Sequence, residues 1–464
     1  MTMDRRTFLR GLSAAGLGAA TMGGITSALA GFSSRARAAD VTGYKALVCV
    51  FLLGGMDNHD TLIPYDRAEY DNWARIRRDL LGRFPGGNRE RSALVPLAPD
   101  NAPSLGGRQV ALPPELSGVA GLFGAGQAAI VGNVGPLLEP VTRRSFEERS
   151  ARLPTRLFSH NDQQATWMSG SPEGAARGWG GLFADAVLAA DANRTPELTA
   201  ITTGGHGLFL TGRAAAPYQV GDGGAATVEV LGELDGEGPL SLLREHFRGG
   251  RGAPTHLLQR DMQAAMANTL DLNQRFNDAR EGLAPLATDF GEGPLTASLR
   301  AVAETIALRD ILGMRRQVFL VAMGGYDTHS NQAQDLPRLH AALDRGVTSF
   351  FAAMQELGVE DDVTLFTASD FGRSLAINGD GTDHGWAGHH LVVGGGVRGR
   401  RIHGDVPVAE LGHDHDAGSG RLIPTVSVDQ MAAPLGRWFG LDEVELGVAL
   451  PALASLTGPP LDLY

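Results

Sequence analysis

Acids and histidines recur just beyond apolar runs of this sequence. Leu53-Gly54-Gly55-Met56-Asp57 closes the run Lys45–Leu53, and Met323-Gly324-Gly325-Tyr326-Asp327 closes Gln317–Met323. In each, the glycines permit a tight turn and close backbone approach, and the acid follows at once. A third run, Asp362–Ala368, leads into Ser369-Asp370-Phe371-Gly372-Arg373. Histidines join the acids. His59 and His329 each stand two residues past an acid, and the stretch Gly381–Trp386 sets Asp383 beside His384, with His389 and His390 close behind. Asp and His together are the donor set of zinc and other borderline divalent ions. One ion or a close pair is expected here, with Asp57, Asp327, His329, Asp370, Asp383 and His384 as ligands. The competing reading is that these acids cap helices and pin loops through backbone N–H groups.

The apolar runs are what must position these side chains. Lys45–Leu53 is continuous and rich in Val and Leu, the pattern of a strand buried on both faces of a parallel sheet. Ala128–Val134, Leu198–Thr203, Gln317–Met323, Asp362–Ala368 and His390–Val393 read as further strands. Helical spacing of apolar residues appears over Leu258–Phe276, Leu299–Leu312, Leu336–Leu357 and Val428–Phe439. Strands alternating with helices predict a doubly wound α/β fold, a mostly parallel sheet sandwiched by helices. In such sheets ligands bind beyond the carboxyl ends of the strands, where the three acids fall. Residues 66–120 and 205–255 are rich in Gly, Pro and charge and read as insertions, loops or a cap, within a single domain over 39–464.

The composition narrows the partners. The chain has 464 residues and a net charge of −12, and its first 38 residues carry a surplus of arginine, so the remainder is more acidic still. That argues against nucleic acid and anionic membrane surfaces. A small anionic ester remains compatible, because a bound cation inverts the local field. The single cysteine, Cys49, lies inside an apolar run and reads as core. No G-x-G-x-x-G opens a strand–helix unit, so dinucleotide chemistry has no support.

Arg5-Arg6-Thr7-Phe8-Leu9 resembles a twin-arginine export signal. The Gly- and Ala-rich stretch Gly11–Gly31 is a weak membrane span and a good export segment, and Ala36-Arg37-Ala38 offers small-x-small cleavage. The reading is a signal peptide over 1–38, the twin-arginine translocation machinery as a partner during export, a periplasmic or secreted product, and no stable membrane anchor.

Several longer motifs carry a resemblance. L-L-G-G-M-D, F-S-H-N-D-Q-Q-A-T-W-M-S-G, G-G-Y-D-T-H-S-N-Q and S-D-F-G-R-S with the later G-T-D-H-G-W-A-G-H-H look like the bacterial domain of unknown function 1501 family, over nearly the whole chain. That family is distantly similar to the alkaline phosphatase and sulfatase superfamily. The resemblance implies a metal-dependent hydrolase of phosphate or sulfate esters, zinc being the expected ion. Its ligand order falls on Asp57, Asp327 with His329, Asp370, and His384 with Asp383 beside it. It departs in two places: one residue separates Asp327 from His329, and Phe371 stands where a histidine is expected after the acid. By the same order Ser159 is the candidate nucleophile, with a helix N-cap as its alternative role, and His160 is a ligand or general acid. Arg373 is the candidate clamp for an anionic substrate, or else a structural ion pair. The alternative to an enzyme is a catalytically degraded periplasmic binding or assembly protein on the same fold.

Overall fold

The computed structural model describes residues 39–204, 207–226, 256–458 and 460–464. The leader 1–38 and most of the predicted insertion 205–255 lie outside the described residues. A central sheet is built from β1 (Lys45–Leu52), β2 (Ala128–Gly135), β3 (Ala200–Thr202), β4 (Tyr218–Gly221), β5 (Gly224–Ala225), β6 (Arg316–Met323), β7 (Val363–Ser369), β8 (Gly388–Val393), β9 (Ile402–Gly404) and β10 (Val426–Ser427). Its order is β9-β2-β8-β7-β1-β6-β3-β4-β5, with β10 also pairing with β2. β1 runs parallel to both β7 and β6, and β3 runs parallel to β6. β8 is antiparallel to β7 and β2, so the sheet is mostly, not wholly, parallel.

The alternation along β1 shows why the sheet carries helices on both sides. Ala46, Val48, Val50 and Leu52 enter one core, and Leu47, Cys49 and Phe51 enter the other. Successive side chains of a strand point to opposite faces, so an unbroken apolar run must be covered twice. The first core is closed by α3 (Pro294–Ala307) and α4 (Gln332–Glu356), through residues such as Leu299, Val302, Leu343 and Phe350. The second is closed by α2 (Trp179–Ala189) and α5 (Val428–Phe439), through Phe183, Val187, Met431 and Leu435. Each such side chain contributes about 1.5–3 kcal/mol on full burial.

Residues 66–120, read from sequence as loop or cap, hold more structure than that. They contain the helix Arg67–Ile76 and two strands of a small antiparallel sheet, in which Val110–Leu112 lies between Val95–Pro96 and Ile63–Pro64. The stretch that sets Asp383 beside His384 begins as a strand. It forms a ribbon in which Arg373–Asn378 pairs with Gly381–His384. Ribbons this short are set by pairing across space, and local composition does not reveal them. Among the described residues, no helix is long and apolar enough to cross a membrane.

Candidate metal centre

Two glycines let the strand-end segments meet. A Cβ on Gly54, which has φ +115°, would lie 2.3 Å from the backbone N of Asp327. A Cβ on Gly381 would lie 2.2 Å from the carbonyl oxygen of Thr328. The turns after β1 and β6 and the ribbon therefore close on one another only because these positions lack side chains. The short helix α1 (His160–Ser169) adds its first residue to the same place.

Four side chains converge there. Asp327 Oδ1 is 3.1 Å from His329 Nε2 and 3.2 Å from His384 Nε2, and Asp327 Oδ2 is 3.5 Å from His160 Nε2. Ligand atoms of His160, Asp327 and His384 lie within 4.8 Å of one another. The far side of two of these rings is fixed. His384 Nδ1 donates to the Phe158 carbonyl at 2.7 Å, and His160 Nδ1 pairs with Asp370 Oδ2 at 2.7 Å. A carbonyl only accepts, so the hydrogen of a neutral His384 is on Nδ1 and its Nε2 lone pair faces the cluster. Phe158 reaches this position with φ +74°, a left-handed conformation uncommon for a side-chain-bearing residue.

His329 Nε2 and His384 Nε2 stand 2.7 Å apart. With the His384 Nε2 lone pair facing the cluster, this is an N–H···N hydrogen bond donated by His329, and binding one ion through both rings would require the two nitrogens to spread to about 3.3 Å. Imidazoles with anchored outer nitrogens, plus one carboxylate, are what a divalent ion such as zinc requires, so the residues present fit the group.

Arg373 sets the charge. Its buried guanidinium donates to Asp327 Oδ1 at 2.8 Å, to the Gly54 carbonyl at 3.1 Å and to Thr382 Oγ1 at 3.2 Å, and it also bonds the Thr382 carbonyl. These four bonds hold it as a fixed cation beside Asp327. Burial works to raise the Asp327 carboxyl, but the Arg373 hydrogen bond and charge outweigh it and hold the group below its usual range. The Asp370 hydrogen bond raises His160, and burial lowers His384.

Not every predicted ligand joins. Asp57 caps the turn Asn58–Thr61 and gives both oxygens to Arg77, at 2.6 and 3.0 Å, with Gln332 Nε2 at 2.5 Å. It stands apart from the cluster because a buried carboxylate must be paired, and Arg77 pairs it. Asp370 touches the cluster only through His160. Its oxygens accept from Gly54 N at 3.1 Å, Gln164 Nε2 at 2.8 Å and His160, so it holds the His160 ring from behind. Asp383 lies at the rim, 3.8 Å from His329 Nδ1 and 3.5 Å from Arg421. Ser159 occupies the N-cap position of α1 but donates its hydroxyl to Asp162 Oδ2 at 3.0 Å.

Sequence reasoning did not assign Gln164 or Phe158, and it placed Phe371 without a role. The Phe371 ring packs 4.9 Å from His160 and 4.5 Å from His384. Gln164 lies four residues after His160, one helical turn on, which is the available signal for a shared face. Nothing in the sequence marks a backbone carbonyl such as that of Phe158.

The chain belongs to the family described as protein of unknown function (DUF1501), whose model matches residues 44–447. No curated protein matches it. Among solved structures, the crystal structure of Ps i-CgsB in complex with k-i-k-neocarrahexaose is similar at 10% identity, covering 89% of this chain and 76% of that one with a TM-score of 0.32. A likeness of that size carries no argument about this chain.

Proposed function

We propose that this protein is an exported, metal-dependent hydrolase of phosphate or sulfate esters. The observation that carries the reading is the convergence of His160, His329, His384 and Asp327 beside the fixed cation Arg373, at the carboxyl edge of the sheet. His160, Asp327 and His384, whose ligand atoms lie within 4.8 Å of one another, would hold a divalent ion, with His329 beside them as a fourth donor and zinc the best match to the set. When bound, the ion supplies Lewis-acid polarisation of the ester and neutralises charge developing on its oxygens.

The chain's own residues do the rest. Asp370 and the Phe158 carbonyl hold two imidazoles so that their Nε2 atoms face inward. Arg373 keeps Asp327 ionised at neutral pH, ready to bind a cation. Ser159, next to His160, is the side-chain candidate for the attacking oxygen, and water is its competitor. Export rests on Arg5-Arg6 and the apolar stretch after it, which would place the protein in the periplasm or outside the cell.

One observation favours a second reading, a binding or assembly protein with a degraded site. Asp57 and Asp370, two of the expected ligands, are taken up by protein donors. The deciding experiment is purification from the export compartment without chelators, followed by metal analysis and a broad ester panel. A metal-loaded, active protein that loses both properties in Asp327→Ala supports the hydrolase. A folded protein with neither metal nor turnover supports the second reading.

A further inference from the structure

We propose that the centre is built for one divalent ion, with the Arg77 guanidinium supplying the positive charge that a second ion would bring to Asp57. The inference rests on the metal-dependent reading above and narrows it. Three observations point the same way.

First, Arg77 is locked. Both its side chain and that of Asp57 are fully buried. Besides its two bonds to Asp57, it donates to the Ser374 carbonyl at 2.9 Å and the Leu375 carbonyl at 3.2 Å. It has no freedom to swing aside, and it occupies both Asp57 oxygens in a fully buried site. Arg373, by contrast, takes only Oδ1 of the half-exposed Asp327 and leaves Oδ2 open. A divalent ion placed against Asp57 would therefore face a cation in a desolvated site with no free carboxylate oxygen.

Second, Phe371 closes the space on the Asp57 side of the cluster. Its ring lies against His160 and His384, and a Cβ on Gly55 would come within 2.4 Å of it. Gly55 is two residues from Asp57. A phenyl ring, with no donor atom, thus fills the gap between the histidines and the segment that carries Asp57.

Third, Asp370 is engaged by the protein. Its Oδ2 pairs with both His160 and Gln164 and its Oδ1 accepts from Gly54 N, so acting as the shared carboxylate of a two-ion centre would require breaking one of these bonds.

The test is to count ions in the full exported protein by native mass spectrometry with excess zinc, and to record the electron paramagnetic resonance of the cobalt-substituted form. One zinc per chain and an isolated high-spin cobalt signal are expected. Two tightly held zinc ions, or a spin-coupled cobalt pair, would overturn the inference and leave the hydrolase reading standing. No bound ion would overturn both. The variant Asp57→Asn is expected to keep one ion with zinc affinity within about twofold of the parent. A folded Asp57→Asn that loses its ion places Asp57 among the ligands and also overturns the inference. If that variant fails to fold, the parent's ion count and cobalt spectrum decide.

Discussion

His329 and His384 bring their Nε2 atoms to 2.7 Å from each other, although 55 residues separate them in the chain. Without a cation that contact is an N–H···N hydrogen bond, and an ion held by both rings would replace it, the nitrogens spreading to about 3.3 Å. Metal should therefore stabilise the protein. At a zinc activity about 100 times the dissociation constant, the gain is about 2.7 kcal/mol. Calorimetry with zinc and with a chelator should show a melting temperature several degrees higher in the metal-loaded sample. Coincident transitions would remove the proposed centre.

Asp370 anchors His160 from behind, so its replacement should act on the metal and not on the fold. Asp370→Asn keeps an acceptor but loses the charge that strengthens the bond. Loss of such an outer partner costs about 10–100-fold in metal affinity. Competition with a chromophoric chelator measures it. Unchanged affinity would mean that His160 does not bind the ion.

Arg373 holds the Asp327 carboxyl low, so protons compete with the metal only at acid pH. In Arg373→Met that carboxyl should rise, and metal release on acidification should begin at a higher pH than in the parent. Arg373→Lys should fall between the two, because it keeps the charge without the fixed fork. Zinc retained per chain across a pH series reads this out, and superimposable curves for all three proteins would refute it.

Four buried histidines make a separate prediction about acid. Burial pushes His59, His340 and His390 down to about 3 and His389 to about 4. Their folded forms take up a proton only far below the ordinary value near 6.5, whereas the unfolded chain takes it up there. Stability from these groups is thus fully present above about pH 6.5 and is lost as pH falls toward about 4 for His389 and about 3 for the other three. Each contributes a slope of about 1.4 kcal/mol per pH unit in that window. His340, whose Nδ1 has no partner, is the group to change. Denaturant titrations between pH 7 and 5 should show a shallower loss in His340→Met than in the parent.

Much of the scaffold is legible in the order of the residues. The expected strand Gln317–Met323 is Arg316–Met323, and the expected helix Val428–Phe439 is found with those bounds. Long apolar runs and strong 3.6-residue spacing survive most tertiary contexts, because burial rewards the whole element. The Arg373–Asn378 ribbon has no such signal. It is held by its partner strand and by the Ser419 carbonyl, none of which its own residues announce.

Acids and histidines gather beyond the carboxyl ends of β1, β6 and β7 for reasons written in the chain itself. Apolar runs make those strands, and paired glycines turn the chain after β1 and β6. Which of those groups face a common point is settled only by folding. Asp57 and Asp327 follow the same Gly-Gly-x-Asp pattern and each meets an arginine, yet Arg77 takes both oxygens of Asp57 while Arg373 takes one of Asp327, which also meets three imidazoles. A carboxylate's role depends on the charges that surround it once water is gone. Those charges arrive from distant parts of the chain, as His160 reaches Asp370 across 210 residues.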